Sequence, residues 1–137
     1  MPGLPNVVPM VSYEDCAAAA DWLVPAFGFE EEERYEDEGE VTHVTLRLRD
    51  GAVFLGKPGD AYVDPARHRE ECAVADRMYE VPWVIDGVHV TVPNVDAHAE
   101  QARAAGARLL SEPADGPVGR LYRVEDPWGH RWMFAQA

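Results

Sequence analysis

The chain reads as an α+β protein made of two tandem β-α-β-β-β modules, and three observations lead there. Short runs such as Val41 to Leu48 and Gly87 to Val92 alternate between two sets of side chains, the period of a half-buried strand. Two stretches, Ala17 to Ala26 and Val95 to Ala105, have helical composition and run into glycine, the usual left-handed residue after a helix. The third observation is an internal echo. Gly51 of Arg49-Asp50-Gly51 and Gly129 of Asp126-Pro127-Trp128-Gly129 are 78 residues apart, and the same shift carries Ala26-Phe27-Gly28-Phe29 onto Ala104-Ala105-Gly106-Ala107. Two matches at one spacing indicate duplication.

The elements follow in order. Val7 to Ser12 is a short strand, and Tyr13-Glu14-Asp15 sets acidic residues at the start of the first helix, where its dipole favours them. Trp22, Leu23 and Phe27 give that helix its apolar surface, and Pro25 must distort or end it near the last turn. Phe29 to Tyr35, Val41 to Leu48 and Ala52 to Gly56 are three further strands, which completes a module over 1–56. In Val41 to Leu48, Val44, Leu46 and Leu48 point one way and His43, Thr45 and Arg47 the other. Residues 57–86 hold Pro58, Gly59, Pro65 and Pro82 among charges and read as a connector, long enough to be a lid that brings Tyr62, Met78, Tyr79 and Trp83 to a ligand, or simply an anchored linker. The second module, 87–137, has strands at Gly87 to Val92, Arg108 to Ser111, Gly119 to Glu125 and His130 to Phe134, with Asn94 as N-cap of its helix. Eight strands in all are expected.

With 137 residues and a formal charge of −13, the chain can bury one useful core and repels phosphate backbones and anionic membranes. Nucleic acid and membrane are therefore excluded as expected partners. The acidity is concentrated between Glu30 and Glu40, where a solvated hairpin is the simplest reading. Two cysteines, Cys16 and Cys72, and no signal peptide or long apolar run point to the reduced cytoplasm. Neither cysteine lies in a pattern that builds a structural zinc site.

The duplicated order over nearly the whole chain, Ala26-Phe27-Gly28-Phe29, Val95-Asp96-Ala97-His98 with Ala104-Ala105-Gly106-Ala107, and Val124-Glu125-Asp126-Pro127-Trp128-Gly129 resemble the vicinal oxygen chelate superfamily of glyoxalase I, bleomycin-resistance proteins and extradiol dioxygenases. The resemblance implies a single domain over 1–137 whose mixed sheets curl into an open cup with helices on the outer faces, commonly paired as a homodimer. In metal-dependent members the ligands come from the first and last strands of each module. The equivalent positions here are Val8, Leu55, Gly87 and Met133, none of them a hard-cation ligand, and their immediate neighbours hold one carboxylate, Asp86. No metal and no other cofactor is expected.

Parity with those four positions, two of which are Leu55 and Met133, then sets His43, Thr45, Arg47, His89, Thr91 and Arg123 as expected ligand-binding residues beside them, with Trp83 of the connector closing over the ligand. Apolar walls with imidazole and guanidinium groups suit a small molecule with rings and an anionic or carbonyl edge. Trp132 and Phe134 have the opposite parity and should pack under a helix, while His98 and His130 read as surface and turn residues. Three functions are compatible with these residues. One is sequestration of a hydrophobic, partly polar compound, of the resistance type. Another is a lyase, isomerase or dioxygenase, metal-free with His43 or His89 as base and Arg47 or Arg123 on an enolate, or using relocated metal ligands. The third is an interaction subunit whose cup is filled by its own side chains.

Overall fold

The computed structural model describes residues 3–137. It contains two compact units, one ending at Tyr62 and the other spanning Val63–Ala137. Among the described residues no helix is long and apolar enough to cross a membrane.

In the first unit, strand β1 (Met10–Ser12) leads into helix α1 (Cys16–Phe27), followed by β2 (Glu30–Asp37), β3 (Glu40–Leu48) and β4 (Gly51–Gly56). Asp15 caps the helix through Oδ1, which accepts the Ala18 amide at 2.9 Å. Pro25 does not stop α1, because only one turn remains: Gly28, at φ 81°, closes the helix with its own N–H on the Val24 carbonyl. The sheet order is β1-β4-β3-β2, with β1 parallel to β4 and the rest antiparallel. Val44, Leu46, Val53 and Leu55 are buried on the face toward α1, together with Leu23 and Phe27. The acidic run is a hairpin, β2 paired with β3 through a two-residue turn in which Glu38 (φ 48°) and Gly39 (φ 81°) are both left-handed.

The second unit repeats the order: β5 (Gly87–Val92), α4 (Val95–Ala104), β6 (Arg108–Leu109), β7 (Ala114–Gly116), β8 (Gly119–Glu125) and β9 (Arg131–Gln136). Its sheet runs β5-β9-β8-β6, with β7 also on β8 and β5 parallel to β9. Among the described residues there are nine strands rather than eight. The strand expected over Arg108 to Ser111 ends at Leu109, because Leu110 and Ser111 both donate to the Arg123 carbonyl (2.8 and 3.2 Å), and the added strand is β7, in a stretch where none was expected. Trp132, Phe134, Tyr122 and Val124 are buried on the α4 side, as their parity predicts. His98 departs from the expected surface position. It projects from α4 into this core, 2.6 Å from the Tyr122 hydroxyl and with its ring 4.0 Å from that of Phe134.

The expected connector is not structureless. It holds α2 (Pro65–Glu71), capped by Asp64, and α3 (Ala73–Met78), and both belong to the second unit. The turn between β8 and β9 holds α2: the Ala66 amide donates to the Trp128 carbonyl at 3.0 Å. Gly129 (φ 86°) lies so close that an added Cβ would be 2.6 Å from Ala66 N. Asp126 fixes the turn from within, accepting the Trp128 and His130 amides on Oδ1 and the Trp132 indole N–H on Oδ2.

Candidate functional site

The face of the second sheet away from α4 is built by register. His89 of β5 pairs with Met133 of β9, which pairs with Arg123 of β8, so the three side chains stand in a row across the sheet. Gly87 and Arg131 form the row on one side of it, Thr91, Ala135 and Leu121 the row on the other.

The Arg131 row is covered by the segment after α3. Arg131 and Glu125 are 4% and 5% exposed. Arg131 donates through Nε to Glu125 Oε1 (3.0 Å), through Nη1 to the Val81 carbonyl (2.7 Å) and through Nη2 to the Tyr79 carbonyl. Its guanidinium also lies over the Tyr79 ring at 5.0 Å, and Arg69 reaches the same carboxylate at 3.4 Å. Burial pushes the Tyr79 phenol above the usual tyrosine range, against the opposing pull of Arg131. A buried ion pair of this kind fixes geometry more surely than it adds stability. Its effect here is to hold the backbone of Tyr79 and Val81, two residues before Trp83.

Trp83 then stands beside the row. Its indole is 70% exposed and lies 5.6 Å under the Arg123 guanidinium. Between Trp83, Ile85, His89, Arg123, Arg131 and Met133 is a pocket of about 180 Å³. No carboxylate lines it, and among the described residues no acidic side chain forms an ion pair with Arg123. The arrangement offers a flat aromatic wall, a thioether floor and a cationic edge. Two larger hollows, of about 490 and 500 Å³, lie beside Arg69 and Arg108 and beside Arg47 and Glu30 to Glu32; paired charges border both.

Four of the expected site residues, Trp83, His89, Arg123 and Met133, therefore meet in one pocket. Thr91 shares their face but lies one row beyond it. Ile85 and Pro82 also line the pocket and were not anticipated, since in the sequence only the neighbouring Trp83 marks them.

In the first unit His43, Thr45 and Arg47 share a face as expected. His43 Nε2 is 2.9 Å from the Thr45 hydroxyl, and its ring meets Phe54 edge-on at 4.9 Å. Leu55 is not with them. It pairs with Val44 and is fully buried on the α1 side, and Phe54, opposite Thr45, takes the position assigned to it. The reason is the length of the final hairpin. Thr45 precedes its counterpart Arg123 by 78 residues, but Phe54 precedes Met133 by 79, so one extra residue in the second turn reverses the parity inferred from the glycine echo.

The corrected end-strand positions are thus Val8, Phe54, Gly87 and Met133. They offer one thioether and no imidazole or carboxylate, a donor set that does not fit a catalytic divalent ion. Among the described residues no three His, Cys, Asp or Glu side chains gather where they could hold one.

Residues 7–134 match the Glyoxalase/Bleomycin resistance protein/Dioxygenase superfamily. The protein Mb0911c of Mycobacterium bovis is 30% identical over 134 residues, which cover 96% of this chain and 83% of that relative. The crystal structure of TioX from Micromonospora sp. ML1 is 30% identical, with a TM-score of 0.69 over 95% of this chain and 96% of its own. The bleomycin-binding protein of Streptomyces verticillus shares the fold at 20% identity, with a TM-score of 0.61 over 100% and 99% of the two chains. With a strand, a helix and then an antiparallel run of strands in both units, and the superfamily match spanning nearly the whole sequence, the chain belongs to the glyoxalase/bleomycin resistance protein/dioxygenase superfamily.

Proposed function

We propose that the protein binds and sequesters a small organic molecule bearing a ring and an anionic or carbonyl edge, in the pocket at Arg123, without a metal. The observation that carries this reading is a guanidinium with no acidic partner, lying over an exposed indole in a hollow that contains no carboxylate. An apolar cavity with a few converging polar groups is the usual form of a small-molecule site. His89 and Met133 complete its floor, and binding alone needs no catalytic group. A fold shared with a protein solved in complex with copper(II)-bleomycin is consistent with such a role.

The test is calorimetric titration with a panel of aromatic carboxylates and ketones. Arg123→Met is expected to weaken the best of them by about 1.5 to 3 kcal/mol, roughly ten- to a hundredfold, the value of a hydrogen bond to a charged group. Its melting temperature should stay nearly unchanged, and EDTA should not alter the affinity of the unsubstituted protein. Light scattering of the same sample checks the proposed homodimer. Large loss of stability without loss of binding would make Arg123 structural, and a panel with no binder would end the proposal.

A further inference from the structure

The side chains that line the pocket at Arg123 carry polar groups of one kind. Trp83, His89, Arg123, Arg131 and Trp132 present N–H groups, and no carboxylate, amide or hydroxyl side chain lines the hollow with them. Two of the five are already engaged. Arg131 donates to Glu125 and to the Val81 and Tyr79 carbonyls, and the Trp132 indole donates to Asp126 at 3.1 Å. Among the described residues the His89 imidazole and the Arg123 guanidinium have no hydrogen bond and no ion pair, and Trp83 meets Arg123 through its ring face. Whichever ring nitrogen of His89 carries the proton, an N–H is available. Two free donor groups therefore open on one hollow, with no side-chain oxygen facing either.

Register keeps the two apart. His89 pairs with Met133 and Met133 with Arg123, so an apolar thioether stands between the donors. Strands about 4.8 Å apart set the His89 and Arg123 Cα atoms roughly 10 Å from each other. A carboxylate held by the fork of Arg123 has both oxygens occupied, which leaves His89 in need of a second acceptor. A ring with an acceptor at each end, adding a hydrogen bond of about 2.9 Å on either side, spans a gap of that order. The hollow, at about 180 Å³, is smaller than the roughly 300 to 1,000 Å³ of drug-sized sites, and a single ring is the body it accommodates. Met133 beneath and Trp83 beside that ring offer the sulfur and aromatic surfaces that rings favour.

We propose that the ligand of this pocket carries two acceptors at opposite ends of one ring, an anionic group on Arg123 and a carbonyl-type oxygen on the His89 N–H, with the ring across Met133. This rests on the reading of the pocket given above and adds His89 as the residue that selects the second end. Ring carboxylates with an apolar far end are the compounds it discriminates against.

The probes are 4-acetylbenzoate and 4-isopropylbenzoate, monoanions of nearly the same shape, of which only the first has an acceptor opposite its carboxylate. Both are titrated calorimetrically into the full chain. The ratio of their affinities, acetyl over isopropyl, is expected to fall about three- to tenfold in His89→Phe, which keeps a ring but no N–H. His89→Gln, whose amide N–H donates, should recover much of that ratio, and Arg123→Met should weaken both compounds. His89 is exposed, so its replacements leave the core as it is. In the unsubstituted chain 4-acetylbenzoate should give the larger saturable NMR shift of the His89 imidazole nitrogens. A ratio unchanged in His89→Phe, or equal imidazole shifts, would overturn the two-acceptor inference and leave the Arg123 reading standing. Failure of both probes while another aromatic carboxylate binds would do the same, and failure of every aromatic carboxylate would end both.

Discussion

Tyr122 shows how a buried phenol can be read out by pH. The phenol is fully buried among α4, β8 and β9, beside His98 and 5.6 Å from the Phe134 ring, and burial pushes its pKa above the ordinary tyrosine value. A raised folded-state pKa means that the native chain keeps this proton after the unfolded chain has released it. The contribution is therefore complete below about pH 10, the unfolded value, and is lost as pH rises through the folded one. The melting temperature is expected to fall steadily above that pH, and Tyr122→Phe should reduce the slope while costing about 1 kcal/mol for the lost hydrogen bond. A residual slope remains from Tyr79 and Tyr35, whose phenols are also raised, the first by burial and the second by its hydrogen bond to Glu33. An alkaline slope identical in the variant and the parent would refute the assignment to Tyr122.

The β8–β9 turn is the element on which the pocket wall depends. Gly129 there meets two requirements at once, a left-handed φ and an approach to the α2 backbone that leaves no room for a methyl group. Gly129→Ala is expected to destabilise by at least about 1 to 3 kcal/mol from the backbone alone. The clash adds to this, because the atoms it meets are main chain and cannot rotate away. Gly106, also left-handed but with nothing near its missing Cβ, is the control: Gly106→Ala should cost only the conformational part. Thermal melts of the two variants make the comparison, and equal losses would show that α2 does not bear on the turn. Glu125 and Arg131 extend the same anchorage to Tyr79 and Val81, so the Trp83 wall is tied to β9 through its backbone.

At the scale of the molecule, each unit has its own sheet and its own helix-covered core, and the link between them is the non-helical stretch from Lys57 to Val63, exposed except at Pro58 and Tyr62. Brief digestion with proteinase K is therefore expected to cut first between residues 57 and 63, leaving fragments that mass spectrometry identifies as the two units. First cleavage within 64–82 would instead mean that α2 and α3 are not held by the second sheet. The net charge of −13 bears on partners and solubility and has little to say about this division.

Much of the fold was legible in the sequence because it rests on local physics. Glycine at 28 and 106, the caps Asp15 and Asn94, and the period-two alternation of β3 and β5 each identify an element without reference to the rest of the chain. The same alternation placed His89, Arg123 and Met133 on one face, since parity within a strand survives any packing. What the sequence could not carry across a turn was register. The second hairpin is one residue longer than the first, so the glycine echo assigned to Leu55 the place that Phe54 holds while Leu55 packs under α1, and nothing local distinguishes those outcomes. Tertiary structure alone also drew His98 into the core, where Tyr122 meets its imidazole, and folded the connector into two helices fastened to β9. Whether Arg123 would pair with a rim carboxylate or stand over Trp83 was likewise open until the chain closed, because a long side chain's partner depends on distances in space, which local sequence does not specify.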